Sequence, residues 1–421
     1  MELAGSRAGL TNVVRALRIR NYRVFTAGNF TSQIGYWIQR VAVGWLAWQL
    51  THSGTWLGLV SAADLVPAIV VTPFAGVLAD RVDRVRVMRS SQVLAIIIAT
   101  ALAALSFTNV ITIYELFTLV FLLGIVNSIN QPARLALIPS LVDYATLPSA
   151  VAINSLCFNM ARFIGPAIAG FVIAEISLAL AFVINAFTYV AFSLALSRMD
   201  VVAERGMAPQ HHFFRQSFEG WVYALRHPGI GQMMVLFSVT TVAMRGYIDM
   251  FPGFADNIFN RGAHGLAALT ASVGLGAVLG GAWMVRRTSV HGLTALAIRH
   301  TLFMALAVLV FSGLNNYALA LVTVFVGGFA MVVSGISAQT LVQTAVDPSM
   351  RGRVMGLYGL VFRAGPALGA LISGWLASYF GFRLPVAAGA LICIGAWVWA
   401  QFLRRRIERA LEPVPVAAVA E

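Results

Sequence analysis

The chain has 421 residues, of which 59% are hydrophobic and only 11% charged. Soluble domains run about 45–50% apolar and about 25% charged, so a soluble enzyme and a secreted disulfide scaffold are both excluded. The formal charge of +13 comes from 29 basic and 16 acidic residues, and every basic residue is arginine. Without lysine there is neither a phosphate-loop ATPase motif, which needs Gly-Lys-Ser/Thr, nor a Schiff-base lysine. The two cysteines, Cys157 and Cys393, both lie in apolar stretches, which argues against a disulfide framework or a thiolate metal site.

In chain order, residues 1–23 carry Arg7, Arg15, Arg18, Arg20 and Arg23 and lack an apolar core long enough for a signal peptide. They are expected to form a basic cytoplasmic arm. A membrane-spanning helix needs about 20 mostly apolar residues. Twelve segments qualify, at roughly 24–50, 56–79, 90–109, 112–134, 149–175, 177–198, 229–256, 264–285, 291–312, 316–343, 353–379 and 383–403. The predicted fold is all-α: twelve transmembrane helices in two six-helix bundles, 24–198 and 229–403, related by a pseudo-two-fold axis. The connection 199–228 divides them and holds Phe214, Phe218, Trp221 and Leu225 at helical spacing, the pattern of an amphipathic helix on the inner membrane face. Residues 404–421 are expected to be a cytoplasmic tail.

With both termini inside, the inner segments hold 22 arginines and the outer loops only Arg261 and Arg383. This asymmetry sets the orientation. It also explains the basic composition without nucleic acid, because the arginines are spread over separate segments. The halves repeat: Pro148-Ser149 recurs as Pro348-Ser349, and Gly165-Pro166-Ala167 as Gly365-Pro366-Ala367. Parallel six-span repeats joined by a cytoplasmic linker are the layout of one transporter class.

The loop after span 2 reads Gly76-Val-Leu-Ala-Asp80-Arg81-Val-Asp83-Arg84-Val-Arg86. It resembles the signature loop of the major facilitator superfamily, with Asp83 where that signature usually has glycine. Further stretches resemble the secretion-effector branch that includes the enterobactin exporter: Ser32 to Ala42 in span 1, Gln131-Pro-Ala-Arg134, Arg162 to Gly170, and Arg351-Gly-Arg353 to Tyr358 near span 11. The Gly-Pro pair of span 5 partly matches the antiporter motif of drug exporters, but Asn159 and Ala161 stand where upstream glycines belong. The resemblance implies a secondary active, proton-coupled exporter working by alternating access in a bacterial inner membrane. It also implies that Gly76, Asp80, Arg81 and Arg84 form a cytoplasmic latch, with Asp80 near the start of span 11 beside Arg351 or Arg353.

Charges inside the spans cost about 2.5–3.5 kcal/mol each at the helix centre, so each invites a reason. The basic set is Arg40, Arg162, Arg245, Arg299 and Arg363, and the deep acids are Asp64 and Asp249. Arg40 and Asp64 fall at similar depth on consecutive antiparallel spans and are expected to pair. Arg245 and Asp249 are spaced to pair along span 7. Either pair is open to a fixed structural role or to proton loading. Arg162 and Arg363 flank the repeated Gly-Pro pairs and are expected to face a central cavity, with Asn127, Asn130, Gln131, Asn154, Asn159, Gln339 and Gln343 as further polar lining. Gly165, Pro166, Gly365 and Pro366 are expected to serve helix packing. Gly274 to Gly280 lacks the strand–turn–helix context of a dinucleotide site, and Gly276 and Gly280 make a packing face instead. His300 beside Arg299 is an interfacial histidine or a weak relay candidate.

The expected partners are a small amphipathic substrate, protons and membrane lipids. No cofactor, metal or nucleic acid is implied, and the chain is expected to act as a monomer. Two alternatives remain at this point: a lipid or lysolipid flippase of the same fold, and a non-transporting membrane protein.

Overall fold

The computed structural model describes residues 14–81, 83–143, 146–199, 213–287 and 289–412. The described residues are almost wholly helical and contain no strand. We number the spanning helices α1 (Arg20–Thr51), α2 (Gly54–Arg81), α3 (Arg84–Phe107), α4 (Ile113–Leu141), α5 (Leu147–Glu175) and α6 (Leu178–Ser197). A linker helix, Phe213–Arg226, follows. Then come α7 (Ile230–Arg245), α8 (Gly262–Val285), α9 (Leu293–Gly313), α10 (Tyr317–Ala345), α11 (Arg351–Phe380) and α12 (Arg383–Leu411). Eleven of the described helical stretches are long and apolar enough to cross a membrane. The remaining one, α1, has 32 residues but carries Asn29, Gln33, Gln39 and Arg40. The count is consistent with twelve spans.

Several boundaries differ from the hydropathy reading. Hydropathy ends α4 at residue 134, yet the helix runs on to Leu141 with Pro132 and Pro139 inside it. Arg134 is therefore a helix residue and not part of an inner loop. Helix α12 likewise carries Arg404, Arg405 and Arg406 within it, because a helix does not end where its apolar stripe ends. Span 7 breaks. Its α-helix stops at Arg245, and a 3-10 turn (Ile248–Met250), a short helical turn (Phe251–Gly253) and a π turn (Phe254–Ile258) follow. Arg245 and Asp249 are thus not one turn apart on a continuous α-helix. The broken segment is packed by rings: Phe311 lies 4.7 Å from Phe254 and 5.8 Å from Phe251, and Phe382 lies 6.0 Å from Phe254.

The termini are capped by chemistry close in sequence. Asp83 accepts from the backbone N–H of Val85 (2.8 Å) and Arg86 and so caps α3, which gives the departure from the signature glycine a local reason. Glu115 accepts from Thr112 N at 2.7 Å at the start of α4. Ser177 caps α6, and Asn316 caps α10. Glu412 reaches back to accept from Gly292 N (2.7 Å) and Thr294 N (2.8 Å) at the start of α9, where a carboxylate meets the positive end of the helix dipole.

The chain divides into two compact units: residues 1–51 with 63–209, and residues 52–62 with 210–421. The short segment 52–62, read from the sequence as part of the first bundle, groups with the second unit. There Thr55 N donates to Ser378 Oγ at 2.9 Å. In the first unit α1 packs on α5 and α6, and α3 on α4 and α6. In the second unit α7 packs on α11 and α12, and α9 on α10 and α12. The pairing repeats with an offset of six helices. Small residues make the tight crossings. A Cβ on Gly165 (α5) would come within 2.5 Å of Trp37 Cβ on α1, and one on Gly365 (α11) would strike Thr241 on α7. Gly280 likewise abuts Phe329 O of α10, as the packing-face reading of α8 expected.

The first core gathers Tyr22, Phe25, Met88, Leu137 and Phe192; the second gathers Met233, Phe237, Leu341, Val354 and Tyr358. Large apolar side chains also point outward, among them Phe171 at 62%, Phe187 at 69% and Phe402 at 85% exposure. In water such patches favour association, whereas lipid solvates them.

Candidate functional site

The first unit holds a connected set of polar and charged side chains on facing stripes of α1, α4 and α5. On α1 the set is Asn29, Gln33, Tyr36, Trp37 and Arg40, spaced by three and four residues so that they share a face. On α5 the same logic aligns Asn154, Phe158 and Arg162. Trp37 and Arg162 stand at the midpoints of the apolar stretches 24–50 and 149–175, so both lie near mid-membrane depth.

The expected Arg40–Asp64 pair forms: Arg40 Nη1 lies 3.6 Å from Asp64 Oδ2, with the side chains 26% and 14% exposed. The same Asp64 oxygen accepts the hydroxyl of Tyr36 at 2.7 Å. Tyr36 was not among the residues singled out from sequence. Gly124 of α4 lies against the Asp64 carbonyl, where a Cβ would come within 2.8 Å of that oxygen, so α4 can approach the carboxylate-bearing turn of α2 closely. The guanidinium carbons of Arg40 and Arg162 each lie 5.5 Å from the centroid of the Trp37 ring. Phe158 and Tyr36 meet the same ring edge-on, at 6.2 and 5.6 Å. The Trp37 indole N–H is buried and has no hydrogen-bond acceptor among the described residues.

Arg134 of α4 lies in an amide cage. It donates to Asn29 Oδ1 at 3.2 Å and to Gln131. Asn29 in turn donates to Asn154 Oδ1 at 3.3 Å. Gln33, with its amide oxygen turned to the guanidinium, accepts from Arg134 Nη2 at 3.0 Å. Arg134 counts from sequence as an inner-loop charge, and the signal that would have placed it is the polar i, i+4 spacing of Asn29 and Gln33. Asn130 is buried, and its Oδ1 has no partner among the described residues.

The other expected residues fall apart from this cluster. Asn159 is exposed and donates to Ser155 O of its own helix. Gln339 and Gln343 are also exposed. Arg363 is half-buried on α11 in the second unit, three residues before Pro366. Asp249 lies in the 3-10 turn after α7, and the side chain of Arg245 lies outside the described residues. So do the side chains of Asp80 and Arg81, although the backbone there, Gly76 included, is helical. Arg84 donates to Ala136 O of α4 at 3.1 Å. Arg351 is exposed, and Arg353 pairs with Glu219 of the linker helix at 2.7 Å. His300 is buried among Trp283, Phe303 and Phe329, with Nδ1 2.9 Å from Leu296 O of its own helix. Among the described residues no His, Cys, Asp or Glu group is arranged to hold a metal.

A family model described as transmembrane secretion effector matches residues 11–417. The chain belongs to that family. It is 29% identical to the uncharacterized MFS-type transporter YfiS of Bacillus subtilis, over 88% of its own length and 90% of that protein's. It is 26% identical to the enterobactin exporter EntS of Escherichia coli O1:K1, over 88% and 87% of the two chains. It also matches the staphyloferrin A transporter of Staphylococcus aureus at 29% identity, but over only 40% of this chain and 42% of that one. Among solved structures, a bacterial homolog of the human lysosomal transporter Spinster superposes with a TM-score of 0.74 at 13% identity, covering 94% of this chain and 98% of that one. The nucleoside transporter NupG superposes at 0.69 with 14% identity, covering 91% and 98%. The fold is that of a major facilitator transporter, and the chain is a multi-pass membrane transporter, not an enzyme.

Proposed function

We propose that the chain is a secondary active exporter of small amphipathic molecules, coupled to protons and working by alternating access as an antiporter in a bacterial inner membrane with both termini cytoplasmic. The Arg40–Asp64 pair carries this reading. It is a half-buried ion pair near mid-membrane, the depth at which such transporters place substrate and coupling sites. Protonation of Asp64 would remove the charge that holds Arg40, and deprotonation would restore it. Tyr36, bonded to the same oxygen, keeps the carboxylate oriented through the cycle. Arg162 and Arg363 are the proposed substrate contacts, with Asn154 supporting the site through Asn29. Asp249 is the reserve coupling acid. Asp80, Arg81 and Arg84, with Arg351, are the proposed cytoplasmic latch. The names of two relatives, an enterobactin exporter and a staphyloferrin A transporter, support a siderophore-type substrate.

The test is uptake into inside-out proteoliposomes under an imposed pH gradient. Asp64→Asn is expected to abolish gradient-driven transport while substrate binding persists. Normal gradient-driven transport by that variant would remove Asp64 from the coupling step.

A further inference from the structure

Helix α9 carries a charge on the face that otherwise meets lipid. Phe303, Leu306 and Val310 are 45%, 42% and 51% exposed, and their four- and three-residue spacing puts them on one stripe. Arg299 lies one turn before Phe303 on that stripe and is exposed, while the neighbouring His300 and Thr301 are buried. It stands about 9 Å along the helix from Leu293, at 1.5 Å per residue. A second guanidinium comes to the same place from α8. Arg286 and Arg287 follow the end of α8 at Val285, and both are exposed. The guanidinium carbon of Arg287 lies 5.4 Å from the centroid of the Trp283 ring, and that ring lies 6.0 Å from the ring of His300. The charges of Arg287 and Arg299 both reach His300. Arg353 and Arg404 of the second unit pair with Glu219 and Glu408. Among the described residues neither Arg287 nor Arg299 has a carboxylate partner.

We propose that Arg287 and Arg299 form a docking site for the headgroup phosphate of an anionic phospholipid, whose acyl chain lies along Phe303, Leu306 and Val310 of α9. A guanidinium on a lipid-facing stripe is stable only if it reaches water or meets an anion. A lipid phosphate supplies the anion at the right depth, and the planar fork of arginine matches its oxygens. Trp283 under Arg287 holds that guanidinium in place and suits the interface, where amphipathic rings sit. The apolar stripe selects a lipid over free phosphate, because free phosphate has no chain to lay against it. The leaflet is the one at which the linker helix enters α7, cytoplasmic in the orientation proposed above; anionic lipids give that leaflet its negative surface. The site does not depend on the Arg40–Asp64 pair, so lipid docking and proton coupling stand or fall separately.

The experiment is native mass spectrometry of the purified full-length protein in detergent, titrated with dioleoylphosphatidylglycerol or dioleoylphosphatidylcholine, which share their chains and differ in net charge. The anionic lipid should bind about twentyfold more tightly than the zwitterionic one. Arg299→Gln and Arg287→Gln should each reduce that preference about fivefold, and the double variant should bring the two lipids near parity. Both side chains are exposed, and if one single variant does not fold the other decides. Arg86→Gln removes an exposed arginine of the first unit and should leave the preference unchanged. Glycerol 1-phosphate, which has the phosphate without the chains, should not displace the bound lipid. Equal binding of the two lipids by the wild type, an unchanged preference in the double variant, an equal loss in Arg86→Gln, or displacement by glycerol 1-phosphate would overturn the site.

Discussion

Tyr36 donates its hydroxyl to Asp64 Oδ2 across 2.7 Å, and that oxygen also faces Arg40 at 3.6 Å. One carboxylate oxygen thus joins a neutral donor on α1 to a cation one turn further along the same helix. Hydrogen bonds to charged groups contribute about 1.5–3 kcal/mol. Tyr36→Phe keeps the ring and removes the hydroxyl. It is expected to lower the thermal unfolding midpoint in detergent and to shift the pH dependence of transport. An unshifted pH profile would leave Tyr36 a packing residue.

Removing one partner of a buried ion pair strands the other charge, which costs about 3–5 kcal/mol, whereas removing both charges is far milder. Arg40→Ala is therefore expected to reduce folded yield and thermal stability more than the double variant Arg40→Ala/Asp64→Asn. Yields and unfolding midpoints of the three proteins, measured side by side, check this. A double variant worse than Arg40→Ala would mean that the two residues do not act as a pair.

Gly165 and Gly313 offer a controlled comparison. A Cβ at Gly165 would come within 2.5 Å of Trp37 Cβ and 3.0 Å of Ile34 O, while one at Gly313 would meet nothing within 4 Å. Gly165→Ala is expected to destabilise by about 1–3 kcal/mol through overpacking, and to disturb ligand binding because the displaced neighbour is Trp37. Gly313→Ala should leave both stability and binding within error.

Asp83 offers a surface test. Replacing it with alanine removes the cap of α3 and should cost about 0.5–2 kcal/mol, whereas glycine at that position should cost only a few tenths. An equal loss in the two variants, measured by reversible unfolding, would mean that Asp83 acts other than as a cap.

His227 predicts a pH effect at the junction of the linker helix and α7. Its Nδ1 accepts from Gly229 N and Ile230 N at 3.2 Å each, at the start of α7. Burial holds its pKa below the ordinary 6.5, against the opposing pull of Asp347. The neutral ring is thus favoured in the folded chain. Its contribution to stability is present above pH 6.5 and lost as pH falls through the lowered value. Proteolysis at the linker should increase between pH 7 and pH 5 in the wild type, and His227→Gln should flatten that change.

The linker helix shows how far the pattern in the chain reaches. Its apolar spacing identifies it, and Trp221 and Leu225 are indeed exposed, at 43% and 62%. Its docking was not legible. Tyr223 donates to Asp347 Oδ2 at 2.9 Å, and Arg353, expected at the latch, meets Glu219. These contacts join residues 124 and 134 positions apart, and no local periodicity encodes them.

Hydrophobic runs and the duplicated Gly-Pro motifs by themselves gave the expectation of an all-helical membrane protein with twelve spans in two repeats, and the resemblance of the Gly76–Arg86 loop to the major facilitator signature added the expectation of transport. Each of those terms is local: a stretch is stable in hydrocarbon, or unstable, according to its own composition. Matching depth on neighbouring antiparallel helices was enough to foresee Arg40 beside Asp64. Only the tertiary structure decided that Tyr36 shares the Asp64 oxygen, that Trp37 stands between two guanidiniums, and that Arg134 lies in an amide cage and not in a loop. Those facts depend on how each helix is rotated about its axis and where it crosses its neighbour. That is set by the close approaches at Gly124 and Gly165, and packing of this kind is a property of pairs of helices that no single stretch carries.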